Sequence, residues 1–283
     1  MTNKTAHVVC CINQKGGVSK STTSEALADG LTLKGYKTLL IDLDPQGSAS
    51  LTAGANPNHL TVYEMLTKQC NAQEATQQHT QEVAQQDAQE HTQEVKYKYT
   101  QTATRADIMA ASPNLVKIDI ELTGVGKEHR LREQLKPLLM KYNYIIIDTP
   151  PALGLLTINA LTASDYVIIP SQADVYSMQG INQLAETVEA VREYTNPNLK
   201  LAGILLTRHN SRSILTRDMT EAASSTASKI GTFLYNTVIR ESVIIKEAQA
   251  QRLSIYEYAP KSNPAIDYSA FVEEFLERRE IYG

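Results

Sequence analysis

The 283-residue chain lacks the features of an exported, membrane-spanning or disulfide-bonded protein. It has three cysteines, Cys10, Cys11 and Cys70, two of them adjacent in an apolar run and none in a CxxC spacing. Such cysteines are typical of core residues in a reducing compartment and disfavour a metal or disulfide role. No run approaches the ~18 apolar residues of a spanning helix, and no charged-then-apolar signal segment is present. We therefore expect a cytoplasmic protein with no membrane partner.

An excess of positive charge is also missing, because 27 lysines and arginines face 31 aspartates and glutamates, for a formal net charge of −4. A general attraction to DNA or to an anionic membrane is thereby disfavoured, so any such binding must come from a local basic patch. The hydrophobic content of 42% is ordinary for a soluble globular protein. We expect residues 1–283 to form a single domain.

Short apolar runs alternate along the chain with longer stretches of helical spacing. Near-continuous apolarity, as in residues 145–147 and 167–169, is typical of strands buried on both faces of a parallel sheet. The predicted strands are His7–Asn13, Lys37–Asp44, Tyr142–Asp148, Tyr166–Pro170, Leu199–Thr207 and Phe233–Ile239, with Leu253–Tyr256 as a weaker seventh. The predicted helices are Ser21–Lys34, Glu128–Met140, Gly180–Tyr194 and Ile214–Ile230. This alternation predicts an α/β fold with a doubly wound, mostly parallel sheet and helices on both faces.

Residues 69–104 depart from this pattern, being rich in Gln, Thr, Glu and His and poor in large aliphatic residues. The sequence His79–Val83 recurs as His91–Val95, a repeat of twelve residues. Gln, Glu and Ala favour helix, so we expect an inserted arm that is helical or disordered. The two histidines have no close second ligand, which favours a solvated surface over a metal site.

The segment Lys-Gly-Gly-Val-Ser-Lys-Ser-Thr at residues 15–22 predicts a phosphate-binding loop. It follows a predicted strand and opens a predicted helix, which is the context that such a loop requires. Gly16 and Gly17 allow backbone N–H groups to point at phosphates, and the helix N-terminus adds a favourable dipole. Lys20 and Ser21 suit the phosphate-binding lysine and the Mg²⁺-binding hydroxyl. Lys15 lies on the other side of the loop and is not explained by phosphate binding within one chain.

Three carboxylates follow predicted strands. Asp42 and Asp44 end the second predicted strand, and the strand period of two puts both on the same side. Asp148 ends the third, at the position of a Mg²⁺-organising carboxylate in a phosphate-loop enzyme. Open α/β sheets bind ligands at these carboxyl ends. Helix capping could explain any one of these residues, but it does not explain all three beside the loop.

Residues 15–22, 42–47 and 148–151 resemble the deviant Walker A, Walker A′ and Walker B motifs of ParA-type partition ATPases, close to chromosomal Soj and plasmid ParA proteins of the MinD/ParA superfamily. The resemblance continues through residues 153–160, 169–172 and Gly180 to the C-terminal helix, leaving out the 69–104 insertion. It implies a Mg²⁺-dependent ATPase that segregates DNA, is associated with the nucleoid in the cytoplasm, and uses ATP and Mg²⁺.

The resemblance also implies a role for each motif residue. Nucleotide binding falls to Gly16, Gly17, Val18, Ser19, Lys20, Ser21 and Thr22, with Lys20 on the β- and γ-phosphates. The metal residues are Ser21, which holds Mg²⁺ directly, Asp148, which holds it through water, and Asp42 nearby. The catalytic residues are Lys20, Asp44, which orients or activates the attacking water, and Lys15, which reaches across a dimer to the partner's nucleotide. Hydrolysis needs added positive charge on the phosphates, and a lysine supplied in trans makes that charge depend on dimerisation. Ser19 departs from the family, which usually has glycine there.

The same resemblance implies three partners: a second copy of the chain, a ParB-like centromere-binding protein and non-specific duplex DNA. The candidate DNA-binding residues are Arg208, Arg212, Arg217, Arg240 and Lys246. The family stretch Pro-Arg-Asn-Val-Arg is altered here, with Arg240 at the proline position and Ile244 at the last arginine. Each basic residue could equally be a solvated surface charge. Phosphate contacts would give affinity that depends on salt and not on base sequence.

Alternative functions share the same ATPase core. A MinD-like division-site regulator would need a basic amphipathic C-terminal helix, whereas residues 268–283 contain four glutamates against two arginines. An iron–sulfur relative of nitrogenase iron protein would need cysteines placed to bridge a dimer, and a bacterial tyrosine kinase would need a tyrosine-rich tail. A nucleotide-gated scaffold with little turnover stays open because Ser19 could slow hydrolysis. The early position of the loop also predicts no separate N-terminal DNA-reading domain.

Overall fold

The computed structural model describes residues 6–79, 81–86, 97–102, 104–210 and 214–282. Its centre is an eight-stranded sheet in the order β10-β9-β8-β1-β7-β2-β6-β3. All neighbouring strands in this sheet are parallel except β3, which runs antiparallel to β6. The strands are β1 His7–Cys11, β2 Thr38–Asp42, β3 Thr76–Gln77, β4 Gln81–Gln86, β5 Tyr97–Thr102, β6 Asp107–Met109, β7 Tyr144–Asp148, β8 Tyr166–Ser171, β9 Lys200–His209 and β10 Leu234–Arg240.

Helices cover both faces of the sheet, as predicted. They are α1 Lys20–Leu33, α2 Ser48–Thr52, α3 Val62–Leu66, α4 Ile118–Glu121, α5 Arg130–Leu135, α6 Leu155–Ala163, α7 Val175–Tyr194, α8 Ile214–Lys229, α9 Ile244–Gln251, α10 Ile255–Tyr258 and α11 Asn263–Tyr282. Within the described ranges, none of these helices is both long enough and apolar enough to cross a membrane.

The sheet separates two apolar cores. Val8, Cys10 and Ile12 of the β1 segment face one core, which also contains residues of α5, α6 and α7. Val9 and Cys11 face the other, which is closed by α1 and α11. The alternation follows from the strand period of two, and both faces are apolar because both are covered. Cys10 and Cys11 are fully buried, which confirms them as core residues, and burial raises the pKa of the Cys11 thiol to about 12.

The six main predicted strands are confirmed as β1, β2, β7, β8, β9 and β10. The weak seventh, Leu253–Tyr256, is wrong because these residues begin helix α10. The Ser254 side chain accepts a hydrogen bond from the Glu257 N–H, and the Glu257 carboxylate accepts one from the Ser254 N–H. This reciprocal capping box satisfies two backbone donors and starts the helix.

Two predicted helices have different bounds. The stretch Glu128–Met140 contains the short α5 flanked by 3₁₀ turns, one of which, Lys136–Leu138, includes Pro137. Proline lacks the N–H that would continue the α-helical hydrogen bonds, which explains the early end. Helix α7 begins five residues before the predicted Gly180, because the Asp174 side chain caps it by accepting from the Ser177 N–H at 3.0 Å.

The described part of the 69–104 segment contains strands, whereas we expected an arm that is helical or disordered. β3 lies at the edge of the main sheet, and β4 pairs antiparallel with β5 in a separate two-stranded sheet. Helix propensities differ by only tenths of a kcal/mol per residue, and the threonines and tyrosines of this segment favour strands. His79 is half-buried, and burial lowers its pKa. The second copy of the repeat, His91–Val95, lies outside the described residues.

A buried ionic cluster joins the segment after this insertion to helix α1. The Arg105 guanidinium lies 3.1 Å from the Glu25 carboxylate and 3.5 Å from that of Asp29, both on α1. It also donates to the backbone carbonyls of Thr52 and Arg252 at 3.0 and 3.2 Å. Burial raises the pKa of Asp29 to about 6, although Arg105 opposes the rise. The cluster therefore fixes α1 against the segments that follow α2 and α9.

Candidate nucleotide site

The loop between β1 and α1 has an open backbone cradle. Gly17 has φ of 76°, and a Cβ added at Gly16 or Gly17 would meet no heavy atom within 4 Å. Ser19 caps α1 with φ of 62°, and its side chain makes no capping hydrogen bond. This left-handed conformation costs a non-glycine residue roughly 1–2 kcal/mol. The departure from the family's glycine therefore lies at a strained position of the loop.

Lys20 opens helix α1 and lies beneath the loop. Its ammonium donates to the Lys15 carbonyl at 3.2 Å, and the residue is 7% exposed. Burial lowers the pKa of Lys20, whereas Asp148 and Asp44 act to raise it. A partly desolvated ammonium that faces the backbone of a glycine loop is suited to contact a phosphate.

Asp42 and Asp148 lie side by side because β2 and β7 pair in a register that puts them opposite each other. Asp42 accepts hydrogen bonds from the Asp44 N–H at 3.0 Å and from the Ser50 N–H and hydroxyl at 2.8 and 2.7 Å. Asp148 accepts one from the Ser24 hydroxyl at 3.0 Å through Oδ1. Its Oδ2 is buried and has no hydrogen-bond partner among the described residues.

The same geometry shifts the pKa values of both carboxyls. Burial, and then the nearby Asp42 charge, raise the pKa of Asp148 to about 8, although the Ser21 and Ser24 hydroxyls and Lys20 act to lower it. Burial raises the pKa of Asp42 to about 6, and the hydrogen bonds from Ser50 oppose the rise. Two buried carboxylates side by side favour a bound cation.

These donors fit Mg²⁺, which prefers oxygen ligands. The unpartnered Oδ2 of Asp148 and the Ser21 hydroxyl at the start of α1 could hold the ion, directly or through water. Three donors bind the two oxygens of Asp42, and its predicted role as a metal residue stays a prediction. Its hydrogen bonds position α2 and the segment that carries Asp44.

Asp44 lies half-exposed at the edge of this site. Its Oδ1 accepts from the Gln46 N–H at 3.0 Å, and its carbonyl accepts from the Gly47 N–H at 2.8 Å. Gly47 has φ of 64° and caps α2. The carboxylate is therefore fixed by a turn outside the strand and stays accessible to solvent, as an activating or orienting group for water must be.

Lys15 points away from Lys20 and contacts the segment between β8 and α7. Its Nζ lies 2.6 Å from Oδ2 of Asp174 and 3.4 Å from both Oε1 of Gln172 and the Ser177 hydroxyl. Burial would raise the pKa of Asp174, but hydrogen bonds from Lys15 and Ser177 outweigh it and lower the pKa. Gln172 also donates to the Gly17 carbonyl at 3.3 Å. The β8–α7 segment therefore holds both Lys15 and the loop.

Our sequence reasoning missed Asp174 and Gln172, which lie more than 150 residues from Lys15. The N-cap pattern before α7 was a signal for Asp174, but nothing in the sequence connects it to Lys15.

The described basic residues predicted to bind DNA differ in their contacts and exposure. Arg208 has φ of 50°, pairs with Glu241 at 2.6 Å and lies 3.5 Å from the Gly17 carbonyl, next to the loop. Arg240 makes a two-pronged ion pair with Asp267 of α11. The remaining candidates divide into two solvent-exposed residues, Arg217 on α8 and Lys246 on α9, and Arg212, which lies outside the described residues.

A cavity of about 220 Å³ lies beside the loop. Its lining includes Gln172, Asp174, Arg208, His209 and Glu241. Burial lowers the pKa of His209, so its ring favours the neutral form. This cavity forms a polar cleft that extends from the loop toward the carboxyl ends of β9 and β10. Open α/β sheets bind their ligands at the carboxyl ends of the strands.

Comparison with known proteins identifies the family of this chain. A family model described as an AAA domain matches residues 6–201. The chromosome partitioning protein ParA of Myxococcus xanthus is 35% identical over 274 residues, covering 96% of this chain and 88% of that protein. The sporulation initiation inhibitor protein Soj of Bacillus subtilis is 34% identical over 270 residues, covering 94% and 97%.

A solved structure with the same fold is described as cobyrinic acid a,c-diamide synthase from Mycobacterium smegmatis with bound ADP and magnesium. It has a TM-score of 0.76 and 29% identity over 97% of this chain and 96% of that one. One fold supports several activities, so this likeness does not transfer that activity. The similarity to ParA and Soj extends over nearly the whole chain and includes the loop and both carboxylate segments, so the chain belongs to the ParA/Soj family of P-loop ATPases.

Proposed function

We propose that this chain hydrolyses ATP with Mg²⁺ to segregate DNA, and that its active site is completed by Lys15 of a second copy. The observation that carries the proposal is the position of Lys15. Its ammonium contacts Asp174 and not its own phosphate cradle, whereas Lys20 alone lies under the loop. A catalytic cation held at the outer edge of the site is available to a partner's nucleotide.

Within one chain, the loop and Lys20 bind the phosphates, and the cleft near Arg208 and Glu241 receives the rest of the nucleotide. Asp148 and Ser21 hold Mg²⁺, which when bound neutralises phosphate charge. Asp44 orients the attacking water from the half-exposed turn after β2. Asp42 acts by positioning that turn through Ser50 and the Asp44 N–H. A solved structure that is 29% identical to this chain contains bound ADP and magnesium, which supports the same cofactors here.

The second copy adds the charge that hydrolysis needs. Lys15 and Asp174 are each about one-third exposed, and such pairs are worth at most ~1 kcal/mol, so the pair opens readily. Directly after Asp174 in the chain, Val175 and Tyr176 are 65% and 78% exposed. Exposed apolar side chains next to a site mark an interaction surface. We assign this surface to the dimer.

DNA binding in the ATP-bound dimer rests on Lys246 and Arg217, because both are exposed on helices outside the nucleotide cleft. Arg240 is committed to Asp267, and Arg208 to Glu241, so neither is free to contact DNA phosphates without leaving its partner. Two contacts per copy give weak affinity for arbitrary duplex DNA that becomes significant when a dimer doubles them. A ParB-like partner would stimulate turnover of this complex.

Two alternatives differ in their support. A nucleotide-gated scaffold with little turnover is favoured by one observation, the strained φ of Ser19 in the loop. A MinD-like role on a membrane is disfavoured, because α11 buries Tyr268, Phe271 and Phe275 in the core, so these aromatic side chains are not available to lipid. Phosphate release measured with DNA and a ParB-like protein separates motor from scaffold, since a scaffold would not be accelerated by either.

The proposed DNA binding is tested by a gel-shift assay on a duplex of random sequence with ATP, with ADP and without nucleotide. We expect binding in the presence of ATP and not in the other two states. Lys246→Gln should weaken this binding and reduce the slope of log affinity against log salt concentration by about 1 for each lost contact. Lys229→Gln, an exposed lysine at the end of α8, serves as the matched control. Equal, negligible binding in all three nucleotide states at low salt would contradict the DNA assignment.

A further inference from the structure

A second cavity, of about 390 Å³, lies at the opposite edge of the sheet from the nucleotide loop. It is lined by the first residues of β8 and β9, by the turn before β10 and by the ends of α7 and α11. The ten residues of β9 run from this cavity to the nucleotide cleft, a separation of roughly 30 Å at the usual rise per strand residue. Nothing in the proposed ATPase chemistry uses it.

The cavity is shaped by an irregularity in β9. Leu201 pairs with Val167 and Ile204 with Ile169, so β9 holds one residue more than β8 between them. Within this bulge, Gly203 has φ of 109°, and a Cβ there would come within 2.7 Å of the rings of Phe233 and Tyr235. Glycine is therefore required for these two rings to line the cavity. Bulges of this kind often lie next to binding sites, where they redirect side chains.

The polar lining carries net positive charge. Its cations are Arg192, Lys200, Arg278 and Arg279. Glu189 and Glu274 each pair with one arginine, and Asp165 attracts Lys200. Among the described side chains, four cations therefore face three carboxylates. Arg279 is the remaining cation, because it contacts the His7 ring nitrogen at 2.7 Å and the face of Tyr144 but no carboxylate among the described residues.

Two buried polar groups at this cavity have no hydrogen-bond partner in the described parts of the chain. One is the hydroxyl of Tyr235, a residue that is only 2% exposed, and the other is Nε of Arg279. Leaving a buried polar group unsatisfied costs roughly 1–3 kcal/mol. Above the rings, the Arg278 guanidinium stacks 4.2 Å from the centre of Phe233 and leaves its outer face to the cavity. Guanidinium planes bind aromatic rings on that face.

We propose that this cavity binds a small planar aromatic anion. Its ring would stack on the Arg278 guanidinium, its acidic group would pair with Arg279 and Lys200, and its polar edge would bind the Tyr235 hydroxyl. The volume suits a ligand of one or two rings with a single phosphate, sulfonate or carboxylate. A nucleoside monophosphate has this chemistry, and so does a synthetic aromatic sulfonate.

The test uses 1-anilinonaphthalene-8-sulfonate, a planar aromatic sulfonate that fluoresces on binding. The full chain is saturated with MgADP, so that the nucleotide loop is filled, and the dye is titrated with calorimetry in parallel for stoichiometry. Inosine monophosphate and neutral inosine serve as competitors. The variants are Arg279→Gln, Lys200→Gln and Tyr235→Phe, with Lys229→Gln as the control that makes the same charge change outside the cavity.

We expect one saturable site per chain that is displaced by inosine monophosphate but not by inosine. Each charge variant should weaken the affinity for the dye about tenfold, and Tyr235→Phe should weaken it several-fold. Lys229→Gln should leave this affinity unchanged. Tyr235→Phe keeps the ring packing, so it remains informative if a charge variant fails to fold. The proposal would be overturned if dye binding did not saturate or if inosine displaced the dye as well as inosine monophosphate does. It would also be overturned if Lys229→Gln lost as much affinity as the cavity variants. None of these results depends on ATP hydrolysis, so this experiment and the tests of the proposed function can fail independently of each other.

Discussion

The sharpest prediction concerns which chain supplies Lys15. Lys15→Ala removes the trans lysine but leaves a complete phosphate loop, metal site and Asp44. Asp44→Ala does the reverse, because it disables its own site and keeps a functional Lys15. Each variant alone should lose stimulated turnover, by at least about 10²-fold, as expected for a group that stabilises transition-state charge.

Mixed in equal amounts, the two variants should recover activity. About half of randomly formed dimers carry one copy of each, and one of the two sites in such a dimer has both Asp44 and a partner's lysine. The mixture should therefore show about one quarter of the wild-type rate, provided that DNA and the stimulating partner are saturating. A titration at fixed total protein should give its maximum at equal amounts.

The assay is steady-state phosphate release, with Lys34→Ala as the matched control. Lys34 forms an exposed ion pair with Glu273 at 2.8 Å, so it tests the loss of a surface lysine without the loss of a catalytic one. It should keep full activity. A mixture no more active than its components would refute action in trans and would place Lys15 on its own nucleotide.

Three further predictions follow from single contacts. Ser19→Gly should raise the free energy of unfolding in urea by about 0.5–1 kcal/mol, because relief of the left-handed conformation exceeds the added entropy of unfolded glycine, and a loss of stability would contradict the strain. Asp174→Asn keeps an N-cap residue but removes the ion pair with Lys15, so the free energy of unfolding should change by less than ~1 kcal/mol. ATP-dependent dimerisation, measured by light scattering, should become tighter because Lys15 is released. Weaker dimerisation would contradict the idea that the ion pair holds Lys15 back from the partner. Arg105→Met leaves buried carboxylates without their cation, at a cost of about 3–5 kcal/mol at pH 7. Because burial raises the pKa of Asp29 to about 6, above its unfolded value of about 3.8, this carboxyl favours the folded state below about pH 4 and loses that contribution as pH rises through 6. The Arg105→Met loss should therefore shrink at pH 5, and a loss that stays the same between pH 5 and 7.5 would refute the assignment.

Much of the fold could be predicted because the parallel sheet is apolar on both faces. The continuous apolar runs at 145–147 and 167–169 admit few other structures, and six strands of the main sheet were predicted from runs of this kind, whereas the short strands β3 and β6 were missed. Asp42 and Asp148 could be placed together from sequence, since both end parallel strands. The register of β2 with β7 then confirmed that they are direct neighbours.

The failures have local physical causes. Leu253–Tyr256 is apolar enough to suggest a strand, but the capping box of Ser254 and Glu257 starts a helix there. Arg208 has a left-handed φ at the end of β9 and lies 3.5 Å from the Gly17 carbonyl of the nucleotide loop, a contact that no local sequence pattern indicates, and its role in DNA binding stays a prediction. Lys15 and Asp174 are 159 positions apart and meet because β1 and β8 are neighbours in the sheet, and no local pattern indicates this contact.

The central claim is that the active site is complete only in a dimer. It is tested most directly by a crystal structure of the Asp44→Ala variant with ATP and Mg²⁺. The account predicts a dimer in which the contact of Lys15 with Asp174 is broken and the partner subunit's Lys15 touches the phosphates. A monomer with ATP bound and Lys15 still paired with Asp174 would contradict it.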